Sequence, residues 1–291
     1  MLVRADTIVP ELLVEAVQGA FSGMKAFYGT GAATVNSSMP THAPSGAKIN
    51  GGDTIKIPYF GTVGEMEDVT AEGDALTPTS LTMSEEECTV THSGKAIEIS
   101  FWAQMAANYA DPYGEMARQL TEVHTRRVDK ALFDVALASL PAGMTNDIQA
   151  VGAGLIDYDA IVDTLNLWGD EEESVAVMVC HSDIKKRFRK IKDANGHPIF
   201  VDSKSGGLPT VFGIPMAVSN RQTKSGSTYR TILARKGALA YWAQSAPRVL
   251  VDTDVLADTE LAAIHTYWCA HRYSRLPGGT YGGVALIQSL G

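Results

Sequence analysis

From Asp111 the chain carries an apolar stripe at helical spacing for about 28 residues. At ~1.5 Å of rise per residue that predicts a helix roughly 40 Å long. Asp111 suits the cap and Pro112 the first helical position, where a missing N–H costs nothing. Met116, Leu120, Val123, Ala131, Leu132 and Val135 make the stripe, with Val128 beside it, and Pro141 and Gly143 end the helix. A helix this long exceeds the usual globular length. It needs a long apolar surface to lie on, so it is expected to act as a spine.

What surrounds the spine is mostly strand. Pro10 to Phe21 predicts a short amphipathic helix; from Tyr28 to Asp53 periodicity is lost among Gly, Ser, Thr, Pro and Ala, as in an extended arm. Asp53 to Phe60 (DTIKIPYF) alternates, with Ile55, Ile57 and Tyr59 on one face, and Pro58 marks an edge strand. The stretch LTMSEEECTVTHSGKAIEISFW alternates again. The two together predict a long two-stranded ribbon, which is marginal alone in water. Between Asp147 and Trp242 helices and strands alternate. Tyr158 to Trp168 reads as a helix, VAVMVC (Val175 to Cys180) as a buried strand, and SDIKKRFRKI as a helix capped by Ser182 with Ile184, Phe188 and Ile191 inward. GIPMAVSN and TILARKGALAYW read as further strands. The last segment, from PRVLVDTDVLADTE onward, has strand character and closes on YGGVALIQ. The middle and terminal blocks predict two lobes, with the spine in the outer one.

Between the strands of the ribbon lies GEMEDVTAEGDALTPTS, Gly64 to Ser80. It holds Glu65, Glu67, Asp68, Glu72 and Asp74 and no base. With Glu85, Glu86 and Glu87, eight acids and no Lys or Arg stand between Lys56 and Lys95. A projecting element of one sign repels its own copies and settles only where positive charge or an apolar groove receives it. Arg118, Arg126, Arg127 and Lys130 on the spine are candidate complements. So is KKRFRKIK, with Lys185, Lys186 and Arg189 among six bases in eight residues. The bland alternative for both sets is a solvated helix face.

Composition narrows the rest. At 291 residues the chain suits one large or two ordinary domains, and 45% apolar with 20% charged residues is an ordinary globular balance. A net charge of −9 argues against coating nucleic acid. Three cysteines (Cys88, Cys180, Cys269) read as reduced thiols. MLVRADTIVP has no secretory core, no apolar run approaches the ~18 residues that span a bilayer, and no fixed-period repeat shows. The motifs G-x-S-x-G, G-x-x-x-x-G-K-[ST] and H-E-x-x-H do not occur. VGAGLID lacks the third glycine of a dinucleotide fingerprint and reads as a loop before a helix. His265 and Cys269 of HTYWCAH would stand ~13 Å apart on a strand, at ~3.3 Å per residue, too far to share one zinc. No catalytic residue, cofactor or metal is expected. An enzyme with an unrecognised α/β site would need a cleft lined by His181 or His197.

The order of arm, long two-stranded loop, spine helix, α/β lobe and returning long strand resembles the major capsid proteins of tailed bacteriophages, whose fold encapsulin shells share. VMVCHSDIKKRFRKIKDANGHPIF is similar to that family's strand, helix and "D-x-x-G-x-P-hydrophobic" stretch. LPTVFGIPMAVSN is similar to its "L-x-G-x-P-V" strand, and ELAAIHTYWCAHRYSRLPGGTYGGVALI to its long and final strands. The resemblance implies an α+β fold of four parts: an N-arm over 1–51, an extended loop over 52–100, a peripheral lobe over 101–140 and 245–275, and an axial lobe over 141–244 and 276–291.

It also implies a function: a head protein that self-assembles through hexamers and pentamers into an icosahedral shell around double-stranded DNA, without sequence-specific binding, in the virion. An encapsulin-like compartment is the alternative. Implied partners are copies of the chain, a separate scaffolding protein and a portal, with no membrane. The tongue acids, spine bases and the 185–192 bases become expected inter-subunit contacts. Some family members weld subunits through a loop lysine. No lysine lies between 57 and 94 here, so no such cross-link is expected.

Overall fold

The computed structural model describes residues 26–27, 30–36, 54–61, 63–64, 66–68, 75–102, 112–141, 143–150, 154–191, 210–220, 222–243, 248–274 and 281–290. The expected helix at Pro10 to Phe21 and most of the arm lie outside them. The chain divides into two compact units, Pro40–Val90 and the remainder (Met1–Met39 with Thr91–Gly291).

In chain order the strands and helices are β1 (Ala33–Asn36), β2 (Thr54–Phe60), β3 (Met83–Thr89), β4 (Thr91–Ser100), α1 (Pro112–Leu137), β5 (Thr145–Asp147) and α2 (Tyr158–Leu165). A 3₁₀ segment (Asn166–Ser174) follows, then β6 (Val175–Cys180), α3 (Ser182–Phe188), β7 (Thr210–Val211), β8 (Ile214–Val218), β9 (Lys224–Ser225) and β10 (Thr228–Arg235). The chain closes with β11 (Leu239–Ala243), β12 (Arg248–Asp254), β13 (Thr259–Arg272) and β14 (Val284–Leu290).

The larger unit holds two sheets. One runs β5-β14-β10-β6-β8-β7, with β9 on β10. Its strands are apolar on both faces because both are covered. Met178, Cys180, Leu233, Ala285 and Ile287 pack with Ile161 of α2, Ile184 and Phe188 of α3, and Trp168. Val177, Val179, Ile232, Ala234, Val284 and Leu286 pack on the other side with Val128, Ala131, Leu132, Phe133 and Ala136 of α1. The second sheet is built on β13. Its first part, Thr259 to His265, pairs with both β12 and β4, and Trp268 to Arg272 pairs with β11, which β1 extends in parallel. Met116, Ala117 and Leu120 of α1 pack here on Val249, Ala262 and Ile264, with Ile97 and Ile99 of β4 alongside.

The spine is therefore real: α1 has 26 residues, about 39 Å, and packs one half on each sheet. It starts at Pro112 as expected. Its stripe is rotated from the expected one. Val128 is fully buried at the centre, whereas Val123 and Val135 are half-buried. The difference follows from the helix covering two sheets, so that Phe133 and His124 are also inside.

Five expectations shift. The stretch 81–102 is two strands, not one side of a ribbon. β3 pairs with β2, and after Val90 β4 leaves to pair with β13, because Ile97 and Ile99 suit the α1 face and Glu85 to Glu87 do not. Within the expected arm, Ala33–Asn36 is a strand too short to show periodicity. The crossing between sheets comes at the Lys236–Gly237 turn, ahead of the boundary drawn at 244; Gly237 takes φ +70°, which suits glycine. The cap of α3 is His181, whose Nδ1 accepts from the Asp183 N–H at 3.1 Å, rather than Ser182. The thiol expectation holds for Cys180 alone, which is free and buried; Cys88 and Cys269 are disulfide-bonded, a matter of geometry that an odd, sparse count does not reveal.

The smaller unit shows a ribbon, β2 against β3, in register from Thr54↔Thr89 to Phe60↔Met83. Gly61 N–H donates to the Thr82 carbonyl at 2.9 Å and extends it. Only Ile55 and the opposite Cys88 are buried in it.

Candidate interaction surfaces

The expected contact residues fall in three places. In the tongue, Glu65, Glu72 and Asp74 lie outside the described residues. Glu67 and Asp68 are exposed, and the Glu67 carboxylate accepts from the Thr77 N–H at 3.1 Å, which pins the loop back on itself. At the ribbon's base Lys56 is bonded to Glu85 and stands 3.8 Å from Glu87; the hydrogen bond and charge of Glu85 raise its pKa. The acids of β3 are thus partly met within the ribbon, while Glu67 and Asp68 of the tongue meet no base among the described residues.

On α1, Arg118 and Arg126 are exposed and flank Glu122, each one turn away, Arg118 at 3.5 Å. Lys130 is exposed beyond them. Arg127 differs. Its Nε donates to Ser93 Oγ at 3.3 Å, its guanidinium lies 4.8 Å over the Trp268 ring, and Trp268 Nε1 donates to the same hydroxyl at 2.9 Å. Arg127 is committed to holding α1 on β4 and β13, so it does not stand with the exposed bases. The same node touches Tyr241, whose ring stacks on Trp268 at 5.8 Å and whose hydroxyl pKa burial drives upward.

On α3, Lys186 and Arg189 are exposed and Lys185 is half-buried. Arg187 turns inward, its Nε donating to the Ile156 carbonyl at 3.1 Å. The helix is locked at its start by a polar chain: Lys224 Nζ donates to Tyr229 Oη at 2.8 Å, and Tyr229 Oη to Asp183 Oδ2 at 2.9 Å. His181, expected only as the lining of an enzyme cleft, belongs to this chain. The other such residue, His197, lies outside the described residues.

Features that sequence reasoning missed are buried or at a turn. Arg235, buried at the end of β10, is bonded to Glu171 and Ser174 of the 3₁₀ segment. His265 meets no ligand on its own strand but His92 of β4, with Nδ1 and Nε2 3.2 Å apart. Cys180 is a core thiol pushed up to about 12 by burial, which makes it unreactive. The β12–β13 turn exposes Val255 and Leu256 almost completely. Two large apolar residues inside the acidic run VDTDVLADTE were the available signal.

The arrangement offers surfaces of opposite charge on a two-sheet frame. Comparison with known proteins says what kind of frame it is. The sequence profile of the phage capsid family matches residues 36–264. The chain belongs to the phage capsid family. It is 23% identical over 267 residues to the major capsid protein of Bacillus phage SPP1, covering 86% of this chain and 78% of that protein. Among solved structures, a chain of Microbacterium phage Oxtober96 superposes with a TM-score of 0.63 at 15% identity, over 91% of both chains. The capsid of an empty GTA particle superposes with a TM-score of 0.63 at 13% identity, over 94% of this chain and 90% of that one. The α+β fold is that of the capsid family, and the chain is a structural protein of the virion shell that assembles with copies of itself.

Proposed function

We propose that the chain is the major head subunit of a tailed phage, which forms hexamers and pentamers of a closed icosahedral shell around double-stranded DNA without reading its sequence. The observation that carries this is the family match across 36–264, which spans the spine helix, the ribbon and most strands of both sheets. The named relatives are phage and GTA capsids, and nothing favours the encapsulin-like alternative. A separate scaffolding protein and a portal are the further partners of this reading, and the chain has no catalytic task in it. Expression with its scaffolding protein is expected to give uniform shells in electron micrographs, and shells recovered from infected cells are expected to hold DNA. A chain that stays monomeric with its scaffold, or particles that hold a co-purified enzyme and no DNA, would overturn it.

Within the shell we assign residues 1–51 to the arm, the ribbon and tongue to the extended loop, the β13 sheet to the peripheral lobe and the β10 sheet to the axial lobe. Because β4 pairs with β13, the extended loop ends at Val90 rather than at 100. The tongue acids Glu65, Glu67, Asp68, Glu72 and Asp74 then rest on a neighbouring subunit, with Arg118, Arg126, Lys130, Lys185, Lys186 and Arg189 as the bases offered to neighbours. Each exposed pair contributes roughly 0–1 kcal/mol, but a closed shell repeats it many times. Changing Glu65, Glu67 and Asp68 together to lysine is expected to impair assembly of a normally folded subunit; normal particle yield would remove those charges from the contact. Lacking lysine from 57 to 94, the loop holds its neighbour non-covalently. Mature particles boiled in detergent are expected to give a monomer band, and a high-mass ladder would refute this.

A further inference from the structure

Ala262 and Ile264 of β13 pack toward α1, so His265 points to the other face of its sheet. There it meets His92 of β4. Nδ1 of His265 and Nε2 of His92 stand 3.2 Å apart, with the two rings stacked at 15°. In the ladder Tyr267 lies opposite His92 and Gly94 lies opposite His265, so the imidazoles are diagonal neighbours. The glycine makes the contact possible. A Cβ at position 94 would stand 2.9 Å from His265 Nδ1, and its absence leaves room for the ring to lean over β4. The Tyr267 ring stacks on His92 at 4.5 Å and limits its swing. Both backbones are held as well. The ladder runs from Thr91↔Trp268 to Ser100↔Thr259, and Ser93, between His92 and Gly94, accepts from Trp268 Nε1 at 2.9 Å. His92 is exposed and His265 half-buried, so solvent reaches the pair.

Two ring nitrogens this close have two uses. One can donate a hydrogen bond to the other, or both can give lone pairs to a shared ion. At metal–nitrogen bonds of about 2.0–2.1 Å, a tetrahedral ion sets two ligand nitrogens about 3.3–3.4 Å apart and a right-angled pair about 2.9 Å apart. The observed 3.2 Å falls between these, so rotation of the side chains can admit an ion. Imidazole suits zinc, nickel and copper rather than calcium or magnesium. No third His, Cys, Asp or Glu joins the pair among the described residues, which leaves the other positions to water. Arg248, opposite His265 on β12, is exposed, and water screens its charge. We propose that His92 and His265 form a cross-strand clamp for one divalent transition-metal ion, zinc, nickel or copper, with water completing its shell. Bound there, the ion ties the start of β4 to β13, just after the smaller unit ends at Val90. The clamp lies within one chain and does not depend on the shell reading.

The test titrates nickel chloride into the full chain, carrying no histidine tag, by calorimetry, and follows thermal unfolding with and without the metal. The parent is expected to bind one ion at this pair and to melt higher as nickel is added. His92→Gln keeps a hydrogen-bonding side chain but loses the ligand. It is expected to weaken that binding about tenfold or more and to cancel the rise in melting temperature. Gly94→Ala keeps both imidazoles but crowds His265, and is expected to weaken binding as well. Parent-like binding in His92→Gln overturns the clamp and places the ion on others of the seven histidines. Parent-like binding in Gly94→Ala overturns the ring geometry on which the clamp rests. A parent that binds no nickel leaves the pair a structural hydrogen bond and also overturns the proposal. Should a variant fail to fold, the parent alone decides. Copper(II) bound to it is expected to show two imidazole ligands by pulsed electron paramagnetic resonance, and a single imidazole overturns the clamp.

Discussion

Trp168 of the 3₁₀ segment and Phe60 at the end of β2 are both large aromatics, yet they live in opposite conditions. Trp168 is fully buried between α2 and the β10 sheet, and its Nε1 donates to the Gly282 carbonyl at 2.7 Å. Phe60, at the end of the β2–β3 ribbon, is 65% exposed. The larger unit buries both faces of its β10 sheet, each under a helix. The ribbon buries one pair, Ile55 with Cys88, and leaves Phe60 and Met83 in water. A two-stranded element with so little burial is marginal by itself. The difference separates what makes the subunit fold from what the subunit keeps for its neighbours.

The comparison breaks first at its strong side. Trp168→Ala removes a buried ring and orphans a buried carbonyl, and is expected to cost about 3–5 kcal/mol in urea unfolding of the unassembled subunit. Phe60→Ala is expected to leave the same curve in place. Comparable losses at both positions would mean that the ribbon is part of the folding unit.

The next effect comes from His124, which faces inward from α1 at 5% exposure. Burial lowers its pKa from 6.5 to about 4. The unfolded chain therefore binds a proton at this site that the folded one refuses. Stability from this residue is complete above pH 6.5, falls as pH drops toward 4, and then levels off. The full difference is about 3 kcal/mol. His124→Gln is expected to flatten the slope of unfolding free energy between pH 6.5 and 4 relative to the parent. An unchanged slope would show that other groups set the acid response.

What the sequence disclosed follows the same division. α1 was legible because its stripe is long and Pro112 marks its start, and β6 because VAVMVC is an unbroken apolar run. The break at Val90 was not, because both sides of it alternate, and alternation says nothing about which strand lies opposite. Arg127 was read with the other spine bases because a charge at the margin of a helical stripe looks solvated until Trp268 and Ser93 are found beneath it. The Val255–Leu256 tip was written plainly in the sequence, but apolar residues in a strand-rich segment are taken for core. The charged surfaces were legible as composition, whereas which copy of the chain they meet is a property of the assembly.

A smaller effect sits at the end of the β10 sheet. Gly154 holds φ +67°, and a Cβ there would stand 2.8 Å from Leu290 Cδ1 and 2.9 Å from the Gln149 carbonyl. The backbone needs glycine, and the Gly154 carbonyl accepts from the Leu290 N–H at 2.6 Å, which ties this position to the end of β14. Gly154→Ala is expected to cost roughly 1–3 kcal/mol, below Trp168→Ala because one contact is the flexible end of a leucine. A neutral result would mean that the loop relaxes freely and that the strand end is softer than its bonds suggest.

The smallest expected effect probes the charge contacts of Lys56 within the ribbon. Lys56 stands between Glu85 and Glu87, and all three side chains are 43 to 61% exposed. Water and salt screen such a group, so Lys56→Met is expected to leave the unfolding curve of the unassembled subunit unchanged within error. Its consequence lies elsewhere. Lys56 is the base that offsets the β3 acids, so removing it makes the ribbon more uniformly acidic. If the ribbon rests on bases of a neighbouring copy, shells of Lys56→Met are expected to assemble at least as well as the parent at low salt and to lose that advantage as salt rises. If the ribbon instead faces acids or bare water, assembly is expected to fall or stay level at every salt concentration. A substitution silent in the monomer and salt-dependent in the shell would locate the ribbon's stabilising contact outside its own chain.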